Sequence, residues 1–446
     1  MSNKIVVNKF GGEIMGSTEL INLAADIIQK QINEGFAPIN VVSACSGITD
    51  KLELAIDEAL SGSAKYNGEV AGDFINSIIE RHLKLSEELL GQRDDEVEKN
   101  IKAEADELKK HLDALNKFGE MSVVLGSLMS YGERFSSIIF RAVLEKRGVA
   151  AKRYTAESIG IITNDNYIDA DIIYEESKEK TLANIAAQPV PVVCGFCGLT
   201  KEGRAAVLGR GGSDTTACFL GNIFNAEKIC LWKTVDGVLS ADPRIVKGTK
   251  TIECLTYTEA EESGKVIHDK AMQYARQGNI TVVVANIKNP EKKTKINCHD
   301  DKKKIKIITY KKNQTLFEIR SGKMEECGFL YKVAELFSKY KINMNLIRNT
   351  RDAFYIVADN NENIKELSDE LIGLGHYLNE KPCAMVNIIG SLDWDLTSKF
   401  NALLKENIKD LWLGAFPYKN CARLEAIVGE DEMEGLVRKL HGEFVK

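Results

Sequence analysis

Residues 5–49 read IVVNKFGGEIMGSTELINLAADIIQKQINEGFAPINVVSACSGIT, and the order of residue types along them decides the fold. A β-branched run beginning at Lys4 ends at Asn8, just before a pair of glycines. Leu20, Leu23, Ala24, Ile27, Ile28 and Ile32 then recur at helical spacing, and Gly35 supplies a stop. The run Ile39-Asn40-Val41-Val42 is the pattern of a buried strand. Strand, helix, strand in that order is a βαβ unit, and it predicts an α/β fold with a parallel sheet.

Further along, a charged stretch from about Gly68 to Lys117 keeps helical periodicity through Phe74, Ile75, Ile78, Ile79 and Leu83. It predicts a helical excursion, at about 68–118, that shapes the edge of the sheet. A helix over Tyr131 to Lys146 follows, then short strands near Lys152, Ile161 and Val190 and a hairpin from Phe196 to Leu208 turning at Gly203. A helix after Asp214 and strands at Lys228 to Trp232 and Thr281 to Ala285 complete a unit over residues 1–300. Residues 301–312 belong to a Lys-rich stretch without a sustained apolar face and predict a linker, with one strand at Ile305 to Thr309.

The remainder repeats itself at a spacing of about 70 residues. Leu316 to Ile319, a helix to Tyr340, Ile342 to Ile347 and Phe354 to Val357 are echoed by Met385 to Ile389, a helix to Glu406, Ile408 to Leu413 and Leu424 to Ile427. Two βαββαβ modules, 313–380 and 381–446, adjacent or interleaved, satisfy this order with helices on one sheet face.

Composition narrows the function classes. Of 446 residues, 44% are hydrophobic, 28% are charged and 7 are Pro, which fits a globular chain and not a disordered one. Lys plus Arg total 59 against 65 Asp plus Glu, a net charge of −6, so there is no surplus for a nucleic-acid partner. No apolar run reaches the length of a membrane span. The first strand begins too close to Met1 for a leader, so a cytoplasmic protein is expected. The ten cysteines are scattered through apolar runs and are expected to be reduced.

Two glycine-rich turns carry chemistry. Lys9-Phe10-Gly11-Gly12 lies where a strand ends and a helix follows; its glycines let backbone N–H groups approach an anion, and the lysine adds a mobile positive charge. A tight turn with no ligand would look similar. Gly209-Arg210-Gly211-Gly212-Ser213-Asp214-Thr215-Thr216 is more specific, because a turn needs neither three glycines nor an adjacent Arg and Asp. Oriented amides, a guanidinium for a carboxylate and a carboxylate for a metal or a lysine account for the whole set. P-loop and protein-kinase motifs are missing. Cys194-Gly195-Phe196-Cys197 has redox or metal spacing with nothing to complete a site, while His268, Phe329 and Phe337 read as structural.

The segments VNKFGG (7–12), VVSACSGITD (41–50), GERFSS (132–137), GFCGLTKEGRAAVLGRGGSDTTA (195–217), VDGVLSADPR (235–244) and SGKVIH (263–268) resemble, in order and spacing, the aspartate kinases of the amino-acid kinase superfamily. The terminal repeat looks like their paired ACT domains. The resemblance implies an open, mainly parallel sheet sandwiched by helices, followed by two ferredoxin-like ACT domains. It also implies transfer of the ATP γ-phosphoryl group to the β-carboxylate of L-aspartate, giving 4-phospho-L-aspartate for lysine, threonine and methionine synthesis. A catalytically weak amino-acid sensor, or a kinase of another small carboxylate, is the alternative.

On this resemblance Lys9 and Asp214 are catalytic, Lys9 on the transferring phosphate and Asp214 orienting Lys9 or Mg²⁺. No residue is expected to ligate a metal directly, Mg²⁺ arriving with ATP. Ser43, Thr49, Arg210 and Ser213 would hold the substrate's carboxylates and Glu133 its ammonium. Lys9, Gly11, Gly12, Lys233, Thr234, Asp236, Leu239, Arg244, Lys265 and Val266 form the nucleotide side. An amino-acid effector is placed against Met324, Asn343, Asn345, Asn349 and Thr350, and the ACT domains imply a homodimer or larger homo-oligomer. The chain departs from the family at Glu13-Ile14, where relatives carry two hydroxyl residues, and at Lys233-Thr234, where they carry Thr-Asp. Asn345 and Arg351 stand where lysine-sensitive relatives carry carboxylates, so lysine inhibition is expected to be weak or absent.

Overall fold

In the computed structural model, residues 4–60, 68–119, 121–186, 188–264, 267–297, 305–321, 328–351, 353–374, 377–407 and 423–445 are described. The chain forms two units, Met1–Val238 with Thr251–His299, and Leu239–Lys250 with Asp300–Lys446.

The first unit is organised around the strand Lys4–Phe10, whose Val6, Val7 and Phe10 are completely buried. The sheet runs Ala151–Tyr154, Val190–Cys194, Phe36–Val42, Lys4–Phe10, Lys228–Lys233, Thr281–Asn286, Lys293–Ile296, Cys254–Leu255. All neighbours are parallel except Thr281–Asn286 with Lys293–Ile296. The chain leaves Lys4–Phe10 to both sides, and Phe10 lies level with Val42 and Trp232. The three strands therefore end together at a topological switch point, the place where open α/β sheets bind ligands.

Polar residues fix the register of these strands. Asn8 and Asn40 are fully buried; Asn8 donates to Gln31 Oε1 (2.7 Å) and Asn40 Oδ1 (3.0 Å) and accepts from Trp232 Nε1 (3.0 Å). Asn40 in turn donates to the Pro191 carbonyl (3.2 Å), so the network spans four strands and the helix Thr18–Asn33. A slip by one residue would leave these amides unpaired in the core.

The helical excursion is two helices, Gly68–Leu90 and Asp95–Phe118, broken at Gly91 with φ +73°. Asp94 caps the second by accepting from Val97 N (2.9 Å), and Val97, Ile101, Ala105, Leu108, Leu112 and Leu115 form its buried stripe. Both pack with the helix Tyr131–Lys146.

The second unit holds one antiparallel sheet in the order Met344–Asn349, Phe354–Asp359, Ile305–Arg320, Tyr377–Gly390, Arg423–Val428. Ile305–Arg320 and Tyr377–Gly390 pair along their lengths with a register shift between Lys311 and Gln314. Phe317 and Ile319, on one half, pack with Phe329, Val333 and Phe337 of the helix Phe329–Lys339. Ile305 and Ile308, on the other, pack with Phe400 and Leu404 and with Leu436 and Leu440 of the helix Glu430–Phe444. The repeats are thus interleaved in a shared sheet. The strand expected at Ile305 to Thr309 is present, with Ile305, Ile307 and Ile308 buried against Tyr377–Gly390, and it continues through the rest of the expected linker, Tyr310 to Lys312, to Arg320. Leu239–Lys250, expected in the 1–300 domain, belongs to this unit, with Ala241, Ile245 and Val246 in its core. The expected strand Ile408 to Leu413 lies outside the described residues.

Cys45, Cys194, Cys197, Cys218, Cys230 and Cys383 are buried free thiols, whereas Cys254 is disulfide-bonded, against the expectation that every cysteine is reduced. Among the described residues no helix is long and apolar enough to cross a membrane.

His82 is buried at the excursion, with Nδ1 on the Ile78 carbonyl (2.7 Å) and its ring 4.9 Å from that of Phe135. Burial pushes its pKa down to about 4. The unfolded chain therefore takes up this proton near pH 6.5 and the folded chain only near 4, so the folded state loses stability as pH falls through that window, by up to about 3 kcal/mol. Replacing His82 with Leu is expected to shrink the loss of unfolding free energy between pH 7 and pH 4 measured by urea titration. An unchanged slope would refute the buried neutral ring.

Candidate active site

Lys9 stands at the end of the central strand, and Gly11 and Gly12 turn the chain into the short helix Gly12–Met15. A Cβ on Gly12 would lie 2.8 Å from the Ala44 carbonyl, so this glycine lets the turn Ser43–Thr49 come alongside. Ser43 N then donates to Phe10 O (3.1 Å) and Ser46 N to Gly12 O (2.9 Å).

The second glycine-rich turn enters from the other side. Gly209 and Gly211 have φ of +70° and +72°, which releases the helix Gly212–Ile223 with Asp214 in its first turn. Asp214 Oδ1 lies 2.8 Å from Lys9 Nζ, the two side chains being 11% and 13% exposed. Burial acts to raise the Asp214 carboxyl, but Lys9 and then Lys233 more than offset it and hold it below the usual range. Burial lowers Lys233 despite Asp214, and Lys9 adds to the lowering. Two ammonium groups around one carboxylate leave a positive excess at the strand ends, the arrangement an anion requires.

Glu133 approaches from the helix Tyr131–Lys146. A Cβ on Gly132 would lie 2.4 Å from Ala44 Cβ, so only glycine allows the helix this close to the turn. Glu133 Oε1 accepts from Ala44 N (3.0 Å), and Ser136 Oγ donates to the Ser43 carbonyl (2.7 Å). Glu133 Oε2 is buried and has no hydrogen-bond partner among the described residues. Burial pushes this carboxyl up to about 8, with the Ala44 amide and the Lys9 charge acting the other way. An unpaired buried carboxyl oxygen is costly, and in the ionised form it would need a cation beside it.

Thr49 and Arg210 line one cleft of about 540 Å³ with Phe196, Gly209, Gly211 and Met129. Thr49 is the second residue of the helix Ile48–Leu60. Ser213 is buried against Gly195, whose Cβ would lie 2.8 Å from that of Ser213. His268 packs on Gly211.

On the nucleotide side, the Thr234 hydroxyl bonds to the exposed Glu13 carboxylate. Asp236 Oδ1 accepts from Asn286 Nδ2 (2.7 Å) and the Asp236 carbonyl from Thr251 Oγ1 (3.1 Å). Leu239 and Arg244 belong to the second unit, and Arg244, with a side chain 84% exposed, is bidentate on Asp242 through Nε (3.0 Å) and Nη2 (2.7 Å). Lys265 and Val266 lie outside the described residues, as does Met324.

Among the remaining effector candidates, Asn343 and Asn345 both bond Asp359, at 3.4 and 2.8 Å. Thr350 Oγ1 is engaged with the Ala353 backbone, and Asn349 is exposed at the end of the edge strand.

Sequence reading missed two contributors. Arg81, in the helix Gly68–Leu90, donates to the Ser46 carbonyl (2.6 Å) and so braces the Ser43–Thr49 turn. Phe196 has φ +74° and its amide is held by Thr216 Oγ1 (3.1 Å). Nothing local in the sequence marks either of them.

The family model described as the amino acid kinase family matches residues 4–286. Aspartokinase 1, chloroplastic, of Arabidopsis thaliana is 32% identical over 98% of this chain and 80% of its own length. Lysine-sensitive aspartokinase 3 of Escherichia coli strain K12 is 27% identical over 98% of this chain and 99% of its own. In fold, E. coli aspartokinase III in complex with aspartate and ADP (R-state) matches with a TM-score of 0.82 at 23% identity, covering 99% of this chain and 100% of that one.

Proposed function

This chain belongs to the amino acid kinase family and, within it, to the aspartokinases, and we infer that it transfers the γ-phosphoryl group of ATP to the β-carboxylate of L-aspartate. The product, 4-phospho-L-aspartate, is an acyl phosphate that feeds amino-acid biosynthesis. The observation that carries the residue roles is the buried Lys9–Asp214–Lys233 cluster beside a buried Glu133 oxygen with no partner.

A carboxylate is ionised at neutral pH and needs no general base. What opposes the reaction is repulsion between two anions, which positioned cations relieve at no cost of reorganisation. Lys9 neutralises the transferring phosphoryl group, with Asp214 aiming its ammonium. Lys233 adds a second positive charge from the neighbouring strand end, while Gly11 and Gly12 offer backbone N–H groups. Thr234 and Asp236 hold the adenosine end of the nucleotide, and Glu13 braces this side through the Thr234 hydroxyl. Glu133 takes the ammonium of aspartate; Arg210, Ser213, Ser43 and Thr49 hold its carboxylates. Mg²⁺ would arrive with ATP, and Asp214 would orient Lys9 or the ion without ligating it directly. The ion would neutralise developing charge on the phosphate oxygens.

The second unit supports binding of an amino-acid effector but not of lysine. Asp359, the carboxylate beside Asn343 and Asn345, already holds the Lys311 ammonium at 2.6 Å.

The direct test is ATP-dependent turnover of L-aspartate, scored by trapping the acyl phosphate as a hydroxamate. Lys9→Ala and Asp214→Ala are expected to lower turnover at least about a hundredfold while circular dichroism stays native; near-normal activity in either would sink the mechanism. Because the Glu133 carboxyl is raised to about 8, binding an ammonium below that pH requires release of a proton. The aspartate KM is therefore expected to rise as pH falls from 8 to 6, approaching tenfold per unit, and Glu133→Gln to give a high, flat KM; a flat profile in the parent removes Glu133 from the ammonium site. Lysine at millimolar concentration is expected to leave turnover nearly unchanged, and inhibition at micromolar lysine overturns that reading.

A further inference from the structure

Leu239–Lys250 departs from the nucleotide side of the first unit and returns to it, and both roots are fastened there. Ile252 N donates to the Val238 carbonyl (2.8 Å), and Thr251 Oγ1 to that of Asp236 (3.1 Å). The segment between is built into the second unit. Ser240 is completely buried; its amide donates to Lys250 O (2.9 Å) and its carbonyl accepts from Ile308 N (2.8 Å). Its hydroxyl accepts from Lys250 N (3.0 Å) and pairs with His441 Nε2 (2.8 Å). His441 lies in the last turn of the helix Glu430–Phe444, whose Arg438 also donates to the Ile245 carbonyl (3.1 Å). Asp242 accepts from the Tyr310 hydroxyl (2.8 Å), and Ala241, Ile245 and Val246 share a core with Leu436 and Leu440.

We propose that His441 is a positioning residue for nucleotide binding, acting through the Ser240 hydroxyl. The proposal rests on the kinase reading and deepens it. With Ser240 held, the tip of the excursion has one conformation, and the paired roots at Val238 and Ile252 deliver Thr234 and Asp236 in one arrangement. Without that bond the buried hydroxyl loses a partner, the tip relaxes, and the turn must be ordered by the nucleotide itself, which lowers affinity. His441 touches neither nucleotide nor aspartate, so the phosphoryl transfer step and aspartate binding stay as they were. The bond between Ser240 and His441 thereby sets the affinity for ATP.

The test uses the full chain and the hydroxamate assay together with calorimetric titration of ADP. His441→Ala and Ser240→Ala are each expected to raise the ATP KM and the ADP Kd by about five- to tenfold, with kcat and the aspartate KM within about twofold of the parent. The double variant is expected to be no worse than Ser240→Ala alone, because the bond that His441→Ala removes is already gone there. His441→Gln, whose amide reaches the same hydroxyl, is expected to recover most of the affinity, and it carries the test together with Ser240→Ala if His441→Ala does not fold. Variants that lower the melting temperature or the active fraction while the ATP KM stays at the parent value overturn the proposal, as does an equal rise in the aspartate KM. A parent that binds ADP without turning over aspartate defeats the kinase reading, while the effect of His441 on ADP affinity still decides this one. A parent that binds no ADP defeats both.

Discussion

Lys9 and Asp214 stabilise each other in a place where neither is stable alone. Each is nearly enclosed, and removing one charge would strand the other in a medium that solvates it poorly. The pair therefore requires a strand end and a helix start to arrive together within ångströms. The buried Asn8–Gln31–Asn40–Trp232 network fixes where the strand ends. The left-handed Gly209 and Gly211 fix where the helix starts. The small residues Gly12, Gly132 and Ala44 then bring the substrate-side turn and Glu133 against that assembly.

Such a site is strained by intent. It keeps two ammonium groups close together, one of them lowered by burial, and leaves a carboxylate oxygen unpaired. These features oppose folding by amounts comparable to a few hydrogen bonds, and the apolar core beneath, from Val6 and Phe10 to Phe135 and Phe140, offsets them.

Much of this was legible in the sequence because it is local. The βαβ opening, the two glycine-rich turns and the internal repeat each announce themselves within a few tens of residues, and Lys9, Glu133 and Asp214 sit on motifs. What was not legible depends on long-range packing. Tyr310 to Lys312 reads as a linker by composition, since Lys311 and Lys312 follow the expected strand, yet pairing with Tyr377–Gly390 carries that strand through them to Arg320. Leu239–Lys250 carries the motif of one unit and the burial of the other, and no periodicity in so short a stretch reveals its host. Arg81 reaches its carbonyl across 35 positions. The apolar strands hid their asparagines because a single amide in a β-branched run reads as an exception, not as a network.

The interleaved sheet has a consequence for how the chain is made. The strand Ile305–Arg320 emerges from the ribosome well before Tyr377–Gly390, and the helix Glu430–Phe444 emerges later still. Until it does, Ala241, Ile245 and Val246 have no apolar partner in Leu436 or Leu440, and the Ser240 hydroxyl has no imidazole to meet. The segment that leaves the first unit at Val238 is thus fastened only by residues made 201 positions later. A prematurely terminated product would keep its first glycine-rich turn and its lysine, yet lack the clasp on Ser240.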